Sequence, residues 1–131
     1  MAKKVAISSI AVFIVWSLMD YVIHGIILNP TYLQTASLWR PMEEMIMWPI
    51  YLATAVTAVA FCAIYGWLVN PKSLTAGLAL GTLFGAASGV SMGAGTWAMM
   101  PIPEFMAMVW TLGLLIEFIT AGLVVGALIK D

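Results

Sequence analysis

Three ionisable residues fall inside apolar stretches of this chain: Asp20, His24 and Glu117. A charge at the centre of a bilayer costs at least ~3 kcal/mol on insertion scales, so such residues face a protein interior and find partners there. Asp20 and His24 stand at i and i+4, which puts them on one face of a helix. Two carboxyl groups brought close share a proton, because like charges disfavour double ionisation. That is the chemistry of a proton or cation path. The same three side chains are also of the type that binds a divalent metal. A third possibility is a buried polar clamp that fixes helix register, with Arg40 snorkelling down to neutralise one carboxylate.

Other chemistries find less support. A b-type haem would need the single histidine, His24, to pair with a methionine or with a second subunit's histidine. Met99, Met100, Met106 and Met108 surround one turn and Met42, Met45 and Met47 another. Thioethers suit Cu(I), but methionine is also ordinary apolar filler. No nucleophile–base pair, phosphate loop or nucleotide fingerprint is present, so the sequence leans away from an enzyme and requires no cofactor. Cys62 is the lone cysteine and lies mid-run, so it has no intrachain partner.

The elements that must position these residues are membrane spans. The chain has 131 residues, 63% of them hydrophobic and 8% charged, with a mean hydropathy of +1.06. Soluble domains carry about a quarter charged residues. Four apolar runs are long enough to cross a ~30 Å hydrocarbon core: about 5–28, 46–69, 74–99 and 105–129. Asn29-Pro30, Asn70-Pro71 and Pro101-Ile102-Pro103 punctuate them, since proline restricts its predecessor and breaks the hydrogen-bond ladder. Short connections between long helices predict one all-α domain, a four-helix transmembrane bundle running up-down-up-down. The first run continues too far for a secretory signal and reads as an uncleaved span.

Lys3, Lys4, Lys72 and Lys130 fall on one side of this arrangement and Arg40 alone on the other, which predicts that both termini are cytoplasmic. Trp39, Trp48, Trp67 and Trp97 lie near span ends, where interfacial anchors belong. A net charge of −1 argues against nucleic acid as a partner. The lipid bilayer is the expected partner, together with a second copy or a larger membrane complex.

Spacing places the polar residues on stripes. Ser9, Phe13, Ser17, Asp20 and His24 share a sector of roughly 80° on the first span. Met106, Trp110, Gly113, Glu117, Thr120 and Val124 share a similar sector on the fourth. The second span offers Tyr51, Thr54, Ala58, Cys62 and Tyr65. Asp20 and Glu117 lie at comparable depth and can meet. His24 lies one turn further out, toward a mouth holding Arg40, Glu43, Glu44 and Glu104, whose acidic potential would draw cations.

The third span carries Gly77, Gly81, Gly85, Gly89 and Gly93, one at every fourth position. Each would cost about 1 kcal/mol against alanine in a soluble helix. In a bilayer they let two backbones approach closely. A four-residue step drifts about 40° per repeat around a 3.6-residue helix. The rail is therefore expected to serve two neighbours, with Gly122 and Gly126 of the fourth span among its contacts, and to hold Asp20 and Glu117 within reach.

The run from Thr96 through Pro101-Ile102-Pro103 to Trp110, followed by Leu115-Ile116-Glu117 and Ala121-Gly122 to Gly126, resembles a family of small bacterial membrane proteins sharing a domain of unknown function. So does Asp20-Tyr21-Val22-Ile23-His24-Gly25 followed by Leu38-Trp39-Arg40-Pro41. The resemblance covers most of the chain. It implies four spans, a glycine-rich third helix and a place in the bacterial inner membrane. It implies no activity and assigns no functional residue.

Overall fold

The long helices begin and end where proline and serine chemistry dictates. In the computed structural model, which describes residues Met1–Lys130, α1 covers Ala2–Asp20 and continues as a π-helix over Tyr21–Ile27. A short α2 (Asn29–Gln34) and two 3-10 turns (Ala36–Leu38 and Met42–Glu44) form the connector to α3 (Trp48–Leu68). Helices α4 (Leu74–Met99) and α5 (Glu104–Leu128) complete the chain. Pro49 occupies the first turn of α3, where its missing N–H breaks no bond. The Ser73 hydroxyl caps α4 by accepting from the Ala76 N–H at 3.0 Å. Pro101 holds Met100 in an extended conformation (φ −124°, ψ 144°) and stops α4 at Met99. Pro103 precedes α5, and Glu104 in its first turn complements the helix dipole.

Four helices are long and apolar enough to cross a membrane: Ala2–Ile27, Trp48–Leu68, Leu74–Met99 and Glu104–Leu128. Their outer faces are apolar, as Ile7, Ile10, Ile14 and Leu18 on α1 illustrate. Helical backbone satisfies its own hydrogen bonds, as lipid requires. Hydroxyls in the spans do the same by donating to the carbonyl four residues back: Ser17 to Phe13, Thr57 to Ala53, Thr82 to Leu78 and Thr120 to Ile116.

At the centre, one aromatic ring from each spanning helix meets the others. Trp16 packs edge-on against Phe118 (5.0 Å between centroids), Phe61 against Phe118 (5.5 Å) and against Phe84 (5.8 Å), and Phe84 stacks on Phe118 (6.0 Å). Val5, Val12, Cys62, Tyr65, Ala121, Val125 and Ile129 extend this core toward the chain termini. At that end the Lys4 ammonium donates to the Lys130 carbonyl, and Lys72 and Lys130 line one shallow concavity. Arg40 stands on the connector at the opposite end.

The expected two-sided glycine rail is overturned. All five glycines are buried, and an added Cβ at each would meet α5 alone. Gly77 abuts Gly122 and Gly126, Gly81 abuts Phe118 and Ile119, Gly85 abuts Leu115, Gly89 abuts Thr111, and Gly93 abuts Thr111 and Ala107. The four-residue step in α4 is answered by steps of four, three, four and four along α5 from Gly122 to Ala107. A step longer than 3.6 residues stays in contact with one partner when the pair wraps right-handedly, and that wrap absorbs the drift. Helix α5 packs α4 on one flank and α1 on the other, and α1 packs in turn against α3.

Two further expectations need correction. On α3 the buried face is Ala58, Phe61, Cys62, Tyr65 and Gly66, while Tyr51 is exposed, because the outer half of α3 diverges from the core. The connector is not a loop over the bundle mouth. Its Tyr32, Leu38 and Trp39 pack against Leu28, Ile102, Met106, Ala107 and Trp110 to form a second apolar cluster. Trp39 is therefore half-buried against Tyr32 and Trp110, whereas Trp48, Trp67 and Trp97 are exposed at helix ends.

Candidate functional site

Glu117 lies just beyond the aromatic centre, 7% exposed, on the flank of α5 that faces α1. The neighbouring residue Gly113 lets Ile23 of the π-helix lie against the α5 backbone, its Cδ1 3.1 Å from where a Cβ would stand. The indole N–H of Trp16 crosses from α1 to the Glu117 main-chain carbonyl at 2.8 Å. These contacts fix the two helices so that the Asp20 carboxyl comes close enough to the Glu117 carboxyl for the two to interact. Two carboxyl groups brought close disfavour double ionisation. One Glu117 oxygen, Oε1, is buried with no hydrogen-bond partner.

From this pair a ladder of polar groups climbs toward the connector. His24 Nε2 lies 3.7 Å from Asp20 Oδ1. Its Nδ1 lies 2.7 Å from the Tyr32 hydroxyl, and the two rings stack with centroids 6.0 Å apart. Trp110 of α5 donates its indole N–H to the same hydroxyl at 3.0 Å. Trp39 closes the cluster against Tyr32 and Trp110 and donates to Thr35 Oγ1 at 2.9 Å. The ladder opens progressively: Glu117 is buried, whereas the Asp20 and His24 side chains are 39% and 45% exposed.

The backbone beneath His24 is unusual. Leu28 N–H bonds the Ile23 carbonyl five residues back at 2.9 Å, the mark of a π-helix. Such segments are rare and concentrate at functional sites. Here the widened turn carries His24 over Asp20 and sets the chain up to bend at Leu28. Pro30 then opens α2, and that short helix swings Tyr32 back onto the His24 ring.

Tyr32 lies outside the spans. Burial pushes its phenol above the usual tyrosine range; the hydrogen bond from Trp110 opposes this, and the nearby Asp20 carboxyl adds to it.

Of the residues singled out from the sequence, Asp20, His24 and Glu117 are brought together. Arg40, Glu43, Glu44 and Glu104 are exposed, and none of them pairs with Asp20, His24 or Glu117. Arg40 does not reach down to a carboxylate, so a register clamp here would consist of Asp20, His24 and Glu117 without it. Among the described residues, no three His, Cys, Asp or Glu side chains gather as a set able to hold a metal ion. Cys62 lies in the lower core against the Ser9 side chain, away from the ladder.

Tyr32 and Trp16 went unrecognised in the sequence. A signal for Tyr32 existed: proline is favoured in a first helical turn, so Asn29-Pro30 can start a helix as well as end one. Trp16 had none, since its role depends on where α5 lies.

No family model, curated protein or solved structure matches the chain.

Proposed function

We propose that this chain is a multi-pass protein of the bacterial inner membrane, with both termini cytoplasmic, whose polar interior binds or passes a proton or cation. The observation that carries the reading is the contact between Asp20 and Glu117, two carboxyl groups on different helices at membrane depth. Ionisable residues so placed are costly and mark ion or proton sites. The graded exposure from Glu117 to His24 supports access from the connector side. The lysines gathered at the opposite end support a cytoplasmic position for both termini. The bacterial location rests on the family resemblance of the two quoted segments.

A second reading is a non-catalytic assembly subunit of a larger membrane complex or homo-oligomer. It is favoured by a groove between α3, α4 and α5 lined by Thr57, Ser88, Ser91 and Thr96, hydroxyl-bearing residues on a face turned toward lipid.

Reconstitution separates the two. In proteoliposomes under a pH or cation gradient, Glu117→Gln is expected to abolish flux while the thermal melt stays within about 1 kcal/mol of wild type. Flux unchanged by this substitution sinks the first reading. A variant that loses oligomer yield, with no flux in either protein, establishes the second.

A further inference from the structure

We propose that Tyr32 and Trp110 lock His24 in its Nε2–H tautomer, so that the ring presents an N–H to the Asp20–Glu117 pair and the species held there is a proton rather than a metal ion. This inference rests on the ion-site reading above and deepens it by naming the species.

The argument runs inward from Trp110. An indole nitrogen only donates, so the 3.0 Å contact makes the Tyr32 oxygen an acceptor. The phenol's own proton then needs an acceptor of its own. The group within reach is His24 Nδ1, at 2.7 Å. Tyr32 O–H therefore donates to Nδ1, and the neutral ring carries its proton on Nε2.

The opposite face of the ring accommodates the same tautomer. Nε2 lies 3.7 Å from Asp20 Oδ1. With the proton on Nε2, an N–H dipole faces the carboxyl. With the proton on Nδ1, a nitrogen lone pair would face the carboxyl oxygen and the Tyr32 proton would have no acceptor among the described residues. Tyr32 and Trp110 select the state, and Asp20 accommodates it.

The groups facing the ring come from three elements. Asp20 belongs to its own helix, Tyr32 to the connector, and Trp110 with Glu117 to α5. Among the described residues, the carboxyl group that reaches the imidazole is that of Asp20, 3.7 Å from Nε2. The raised pKa of the Tyr32 phenol keeps its proton available to Nδ1. Metal binding by histidine uses a free ring-nitrogen lone pair, with the other nitrogen donating to a neighbour. In this ring the lone pair points away from the carboxyl groups and is already engaged by Tyr32. Tyr32 is accordingly a positioning residue that acts through His24.

His24 is the single histidine of the chain, which makes the test direct. The full chain is labelled with 15N-histidine, placed in lipid nanodiscs at neutral pH and read by NMR. Wild type is expected to show a one-bond N–H coupling at Nε2 and none at Nδ1. Tyr32→Phe is expected to lose the single tautomer, with the two ring-nitrogen resonances drawing together. Zinc ion added to wild type is expected to leave both resonances in place. A proton on Nδ1 in wild type, an unchanged spectrum in Tyr32→Phe, or a zinc-induced shift each overturns the inference. Should Tyr32→Phe fail to insert, Trp110→Phe frees the Tyr32 oxygen to accept from the ring and is expected to admit the Nδ1–H form; a ring still locked on Nε2–H overturns it equally. A chain that carries no ion yet shows the Nε2–H ring loses the transport reading alone. A chain that carries protons with an Nδ1–H ring loses this inference alone.

Discussion

Trp16 and Glu117 are joined through the main chain: the indole N–H of one donates to the backbone carbonyl of the other, helix to helix, at 2.8 Å. The bond ties α1 to α5 one turn below Asp20, and the Trp16 ring is anchored in turn against Phe118. Position of the carboxyl pair is thus set by a neighbour that carries no charge. Trp16→Phe keeps an aromatic ring and removes the donor. It is expected to cost about 1 kcal/mol of stability, in line with single interhelical hydrogen bonds in membranes. Thermal melts in detergent or nanodiscs read this, and a variant as stable as wild type would show that the bond contributes nothing.

The glycine rail makes a sharper prediction because one glycine serves as a control. A Cβ at Gly81 would collide with the Phe118 carbonyl and lie 2.9 Å from its carbonyl carbon, atoms of a helix backbone that cannot step aside. At Gly95, in the same helix, nothing lies within 4 Å. Gly81→Ala is expected to destabilise by about 1–3 kcal/mol, the ordinary cost of overpacking, whereas Gly95→Ala stays within about 0.5 kcal/mol. Equal melting temperatures for the two variants would contradict the α4–α5 contact described above.

Tyr32 supplies a pH dependence whose sign can be worked out. Its folded pKa lies above the ordinary tyrosine value, chiefly through burial. Between the unfolded and folded pKa values the native state holds a proton that the unfolded state has released. The contribution of neutral Tyr32 to stability is therefore complete below the unfolded value and is lost as pH rises through the folded one. Tyrosinate absorbance of wild type minus Tyr32→Phe isolates the residue. The difference signal is expected to rise only above the ordinary tyrosine range; a rise at or below that range would mean the phenol is not shielded.

Much of the architecture was legible because lipid imposes few solutions on an apolar chain. Twenty or so apolar residues must be a helix, and Pro30, Pro71 and Pro101 mark where those helices give way. Helical spacing alone also puts Asp20, His24 and Glu117 on facing stripes. What the pattern did not reveal depended on which helix lies beside which. A wheel drawn at 100° per residue shows where Gly77–Gly93 point, not that one partner follows them all. It likewise fails for Tyr21–Ile27, whose π-helical turn no propensity announces. Tyr51 looked like a continuation of the Cys62–Tyr65 face, yet nothing in its own neighbourhood says that α3 leaves the core there. Tyr32 was hidden by composition, since a polar linker gives no sign that it will fold back to touch a histidine eight residues earlier.

The close fit of α4 on α5 joins two helices separated only by the turn at Met100–Pro103. Both belong to the later half of the chain, and chains are made from the N-terminus. Asp20 is accordingly made well before Glu117, and its carboxyl has no counterpart until α5 lies beside α1. The polar ladder is thus a late closure: until α5 is made, Asp20, His24 and Tyr32 lack both Trp110 and Glu117.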